Sequence, residues 1–294
     1  MQLYKAKIDP VSTLATSLRG DTLFGQICWA IHQLFGKERL EKLLEDYDEN
    51  PFMVVSDAMA VGHLPKPHMP SSFLGEDPEE KKSNRKKRWL TREDLLKGNY
   101  SAAKNDEEAG FLQYDISTMH NSLNYKTFRT GKERFAPFGV IETVVGEREV
   151  YLLLDENRIG EEEALQTLVW VGHYGFGKDA STGKGRFEVS GFSSVNFDSK
   201  SKIYMTLAPI VLEGIESHKI YYEPFTRFGK HGFTRSKGNV FKKPVLMADT
   251  GCVLFFDTDE PKSYTGRGIR GVSTRYTDTV HQGYAIVVPI KEVL

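Results

Sequence analysis

The 294-residue chain carries 39 Lys and Arg against 40 Asp and Glu, a formal net charge of −1, with 39% hydrophobic and 27% charged residues. Its two cysteines exclude a disulfide framework and a Cys-based zinc site, and they point to a reducing compartment. No apolar run approaches the ~20 residues of a membrane span, and MQLYKAKIDP holds no signal core, so a cytoplasmic protein that meets no membrane is expected. Residues 2–9 alternate polar and apolar and predict a strand. Leu23, Phe24, Ile27, Cys28, Ile31, Leu34 and Phe35 follow helical spacing, with Asp21 as the expected N-cap and Gly36 as the stop. Residues 52–64 predict one or two strands, ended by Pro65, Pro67 and Pro70. A polar insertion follows at about 66–115, with a short helix at 91–97. Val140–Val145 and Val150–Leu154 predict the two strands of a hairpin, with Gly146 in the turn. A helix at about 160–172 opens on three glutamates, where its dipole favours negative charge. A glycine-rich loop and the strand GRFEVSGF come next.

The order to residue 192 is β-α-β-β-α-β, that of a ferredoxin-like unit. Further strands are expected at 203–212, 244–257 and 283–290. The fold expected is α+β, with two tandem ferredoxin-like (RRM-like) units: residues 1–198 with the insertion, and a degenerate unit at 199–294.

The near-zero net charge is an average over unlike segments. Residues 81–92, KKSNRKKRWLTR, hold seven Lys and Arg and no acid; residues 226–275 carry a net +6; the remainder carries −14. Segregated basic stretches bind polyanions even in a neutral chain, although the first stretch reads equally as a solvated, mobile insertion. In GHYGFGKDASTGKGR, residues 172–186, Lys178, Lys184 and Arg186 alternate with Gly172, Gly175, Gly177, Gly183 and Gly185. Such a loop suits an anion, since glycines let amides turn toward it and the cations add charge-assisted bonds; a plain flexible loop fits as well. It is not a Walker A loop: Asp179 stands where Ser or Thr would hold Mg²⁺, and the helix precedes rather than follows. Gly175, Gly177 and Ala180 match the Rossmann spacing in the same wrong context.

Three stretches together resemble a RAMP-superfamily subunit of a CRISPR type III effector complex. They are SLRGDTLFGQICWAI at 17–31, the segment 120–145 with Asn121, Arg129, Thr130 and Gly131, and GFGKDASTGKGRFEV at 175–189. The usual Asp-Arg dipeptide of the second stretch is replaced near Tyr125 and Lys126. The carboxy-terminal third makes the chain most similar to the fourth subunit of the Csm (type III-A) complex, with the equivalent Cmr (type III-B) subunit as competitor. The resemblance implies a non-catalytic subunit without cofactor. It would hold the 5′ repeat-derived tag of crRNA and join the large polymerase-like subunit to the RAMP backbone subunit.

The implied RNA-binding residues are Arg19, Gly20, Asn121, Arg129, Lys178, Gly183, Lys184, Gly185 and Arg186. Arg227, Lys230, His231 and Arg235 join them from a basic stretch interleaved with Phe228, Phe233 and Phe241, a composition that suits single-stranded RNA. Arg267 and Arg270, beside Gly266 and Gly268, complete the set. A thumb-like hairpin is expected within 66–115, with Trp89 available to stack. The enzymatic alternative is a metal-independent RAMP endoribonuclease, for which His231 is the first candidate acid or base and His32 and His173 the next. Asp57 is a weaker candidate for metal chemistry. Cys28, Cys252, His63 and His68 have no zinc-like spacing. A protein scaffold that touches no RNA is the third class.

Overall fold

The computed structural model describes residues 1–131, 135–197, 200–232 and 240–291. The chain opens with β1 (Gln2–Pro10), α1 (Gly20–Phe35), α2 (Lys37–Leu44) and the short β2 (Met53–Val55). The insertion contributes β3 (Leu64–Pro65), α3 (Lys81–Lys86), β4 (Trp89–Leu90) and α4 (Arg92–Lys97). Then come β5 (Gln113–His120), β6 (Phe138–Val145), β7 (Arg148–Leu154), α5 (Glu161–Tyr174) and β8 (Phe187–Val195). The last third is stranded: β9 (Ile203–Thr206), β10 (Lys219–Tyr221), β11 (Pro224–Arg227), β12 (Val245–Ala248), β13 (Val253–Phe255), β14 (Tyr264–Ile269) and β15 (His281–Pro289). The protein is therefore α+β.

The first sheet has the order β2-β7-β1-β8, with every neighbour antiparallel. Its two crossovers carry α1 and α5, which pack on each other. The apolar stripe of α1, Leu23, Phe24, Ile27 and Ile31, is buried against the same core as Ala164, Leu168 and Val171 of α5. The second sheet has the order β10-β13-β9-β15-β14. Its strands alternate between two cores, as period-2 side chains must. Ile203, Met205 and Ile286 join the core of the first sheet, while Tyr204, Ala285 and Val287 form a smaller cluster on the opposite face. The sheets are stitched where Gln282 of β15 accepts from Val55 N at 2.9 Å and donates to Val55 O at 2.8 Å.

Several expectations change. The strands at 140–145 and 150–154 do not pair with each other. β6 pairs with β5 in a separate hairpin, and β7 lies between β1 and β2. The reason is burial: all seven residues of β7 are buried, which requires a central strand with cover on both faces. Asp21 does not cap α1. The N-cap position is Arg19, with no side-chain cap of its own, and the Gly20 amide donates instead to Asp57 Oδ1 at 2.7 Å. The insertion is not loose. β3 pairs with β4, Trp89 and Leu90 are buried, and Asp106 accepts from Trp89 Nε1 at 2.7 Å. The exposed two-stranded hairpin is β5–β6, which starts at the very end of the 66–115 segment in which it was expected and lies mostly past it.

Candidate nucleic-acid interface

The connection from β1 to α1, residues 11–19, lies directly over the glycine loop. Val11 N donates to Arg186 O at 2.9 Å, Gly185 N to Thr13 O at 2.8 Å, Arg186 N to Ser12 Oγ at 2.8 Å and Lys178 N to Thr16 Oγ1 at 2.9 Å. Gly183 N and Lys184 N close the turn on Ala180 O and Asp179 O. The cradle of backbone amides expected at Gly183, Lys184, Gly185 and Arg186 is therefore corrected: these amides are spent on protein acceptors. What the loop leaves open to an anion is its side chains.

Of those side chains, Lys184 is committed as well. Its Nζ lies 2.6 Å from Glu142 Oε2, which also accepts from Thr13 Oγ1 at 2.7 Å. The Lys184 ammonium and the Thr13 hydroxyl hold the Glu142 carboxyl below its ordinary range. This buried carboxylate ties the base of the β5–β6 hairpin to the glycine loop. Arg186 is exposed and without a side-chain partner among the described residues. Lys178 is exposed too, 3.5 Å from Asp179.

The motif arginines are latched to acids far away in sequence. Arg19 reaches Asp57 at 2.9 Å and Asp249 at 2.6 Å, beneath the Phe225 ring. Burial alone would lower its pKa, but the two carboxylates outweigh it and raise it well above its usual range. Burial pushes Asp57 up, against the donors Arg19, Thr250 and Gly20 N. Gly20 has no room for a side chain: a Cβ there would stand 2.3 Å from Val55 O. Arg227 grips Asp21 through two bonds of 2.5 and 2.7 Å. His281 Nε2 lies 3.4 Å from the same carboxylate, and burial drops its pKa to about 4. Arg270 pairs with Asp48 at 2.6 Å and donates to Leu44 O and Glu45 O at the end of α2. Arg267 lies 3.4 Å from Glu213.

Three other positions are more open. Lys230 is exposed and sits 5.0 Å over Phe241. Asn121 and Arg129 lie on the exposed chain linking β5 to β6. Arg235 lies outside the described residues. His231 is buried, 2.8 Å from Ser273 Oγ and edge-on to Tyr276 at 5.1 Å. That is the setting of a held ring rather than an open acid or base. Burial pushes the Cys28 and Cys252 thiols up to about 12, which leaves both unreactive near neutrality.

Two cavities flank the β1–α1 connection. One, of about 860 Å³, is lined by Lys178, Arg227, Lys230, Trp29 and Phe228. The other, of about 830 Å³, is lined by Arg19, Lys66, Arg85, Lys87 and Tyr222. Thr16 borders both. Sequence reasoning missed the acids that hold the arginines, and it missed Arg148. That guanidinium is fully buried 3.6 Å over the Phe111 ring and donates to Leu112 O at 2.7 Å. The one available signal was a charge opening the apolar run of β7.

The whole chain superposes on a chain of the Csm1–Csm4 cassette solved with cA4, at a TM-score of 0.63, 14% identity and full coverage of both chains. It also matches a chain of the Csm3–Csm4 subcomplex of the type III-A CRISPR-Cas interference complex, at a TM-score of 0.60 and 15% identity over 99% of this chain and 100% of that one. The fold is one that type III-A Csm complexes contain. Csm4 is the component these two assemblies have in common. No protein-family model and no curated protein matches the sequence. Among the described residues, no helix is long and apolar enough to cross a membrane.

Proposed function

We propose that this chain is a Csm4-like, non-catalytic subunit of a type III-A CRISPR interference complex. In this reading it holds the 5′ repeat-derived tag of crRNA and links the large polymerase-like subunit to the RAMP backbone. Its two units, residues 1–198 and 199–294, are ferredoxin-like, the second degenerate. The observation that carries the reading is the end-to-end likeness to chains of the Csm1–Csm4 and Csm3–Csm4 assemblies. The strand order β2-β7-β1-β8 with helices in both crossovers supports the first unit. The open cations Lys178 and Lys230 beside Thr16, with Phe228 exposed next to them and Arg186 exposed on the same glycine loop, support single-stranded RNA as ligand.

The test is purification of the tagged chain from cells that express the other complex subunits and a CRISPR array. Sequencing of the bound RNA should recover processed crRNA with a common 5′ tag, and crosslinking should join the chain to the large subunit and a backbone subunit. Absence of RNA even at low salt would sink the reading in favour of a protein scaffold. Cleavage of naked repeat RNA by the isolated chain in EDTA, abolished in His231→Ala, would sink it in favour of the endoribonuclease.

A further inference from the structure

The arginines of the motifs are largely neutralised within the fold, whereas one run of cations in the insertion is not. Lys81, Lys82, Arg85, Lys86 and Lys87 have no acid within ion-pair distance among the described residues, and all but the half-buried Lys87 are exposed. The three acids nearest in sequence, Asp77, Glu79 and Glu80, lie before α3 in the turn that leads into it. The segment is nevertheless firmly mounted. Asn84 is buried and donates to Asp77 O at 2.8 Å, and Lys66 Nζ bonds both Asn84 O at 2.9 Å and Glu76 at 2.7 Å. Arg88 N donates to Lys104 O at 2.8 Å, and the Arg88 side chain is tied to Asp106. A rigid mount that presents unpaired cations is the arrangement polyanion binding rewards, because little ordering entropy is lost on contact.

The direction of that presentation is specific. Arg85 and Lys87 line the 830 Å³ cavity together with Tyr222, 49% exposed. Thr16 of the β1–α1 connection lines both this cavity and the one beside Lys178 and Lys230. We propose that the basic insertion extends the RNA path. In this view, a strand that passes the glycine loop crosses Thr16 and continues through the second cavity, its phosphates on Arg85 and Lys87. The proposal rests on the RNA-binding reading above and assigns a contact surface to a segment that reading leaves without a role.

The test is equilibrium binding of the full chain to fluorescein-labelled rU15 across a salt series. A single-stranded contact contributes about 0.7 to the slope of log K against log salt, so Arg85→Ala/Lys87→Ala should lower the slope by about 1.4 and weaken binding about tenfold near 0.15 M salt. Arg85→Lys/Lys87→Arg should retain most of the affinity. Thermal melts of both variants should match the parent, since neither side chain carries a structural bond. If Arg186→Ala weakens rU15 while the insertion variant does not, the extension falls and the RNA-binding reading stands. If the parent chain does not bind rU15, both fall. If the insertion variant keeps rU15 but loses a partner subunit in the assembled complex, the surface is a protein dock and the proposal is overturned.

Discussion

Two glycines of the loop share a backbone conformation but differ in surroundings, which makes them a controlled pair. Gly183 has φ +91° and Gly185 has φ +72°, both in the left-handed region. A Cβ on Gly183 would meet nothing within 4 Å, whereas one on Gly185 would lie 2.1 Å from Phe176 O and 2.6 Å from Phe176 N. The left-handed conformation costs an ordinary residue about 1–2 kcal/mol, and overpacking against rigid backbone adds about 1–3 kcal/mol. Gly183→Ala should thus cost about 1 kcal/mol, and Gly185→Ala about 3–5 kcal/mol. An unfolding entropy near 2.1 cal/mol/K per residue gives this chain about 0.6 kcal/mol/K, so the expected Tm losses are about 2 °C and about 5–8 °C. Differential scanning fluorimetry, with urea melts as a check, reads both. Equal shifts, or a Gly185→Ala shift under about 1 °C, would refute the claim that Gly185 serves close packing of the loop on Phe176.

Asp21→Asn removes the charge that faces Arg227 on a fully buried carboxylate; a loss of about 3 kcal/mol is expected in urea melts, and a loss under 1 kcal/mol would contradict the latch. His281 titrates near 4 in the folded chain because burial disfavours the imidazolium, against about 6.5 unfolded. Above pH 6.5 the group is neutral in both states and contributes no slope. Between 6.5 and 4 only the unfolded chain takes the proton, so stability falls by about 1.4 kcal/mol per pH unit, to roughly 3 kcal/mol. His281→Gln should flatten that part of the profile, and an unchanged slope counts against it. Arg186→Ala should reduce the salt slope of rU15 binding by about 0.7 without altering the melt, whereas Lys184→Ala should raise protease sensitivity at the β5–β6 hairpin by freeing Glu142; reversed outcomes would overturn the division of roles.

Local order was legible and long-range pairing was not. The helical spacing of Leu23 to Phe35 predicted α1 because a stripe that must face a core is written in neighbouring residues. The run VYLLL announced a strand, but it could not name its partners, and β7 went to β1 rather than to β6. The cations around the glycine loop were visible as charge. What was hidden was their engagement: Arg227 meets an acid 206 positions away and Arg19 one 230 positions away, distances that composition does not encode. The sequence therefore located the arginines but overstated how many are open to a ligand. The insertion erred the other way, since a polar stretch hid the Trp89 and Leu90 anchors that mount it.

The placement of the first and last strands bears on synthesis. β1 is made well before the strands that flank it, at residues 148–154 and 187–195, and β15, at 281–289, pairs with β9 and clasps β2 through Gln282. The first sheet waits for β8, which ends at residue 195, and the second for β15, which ends at 289. Such non-local closure is slow and leaves apolar strand edges bare in the interval, the condition under which partly made chains aggregate.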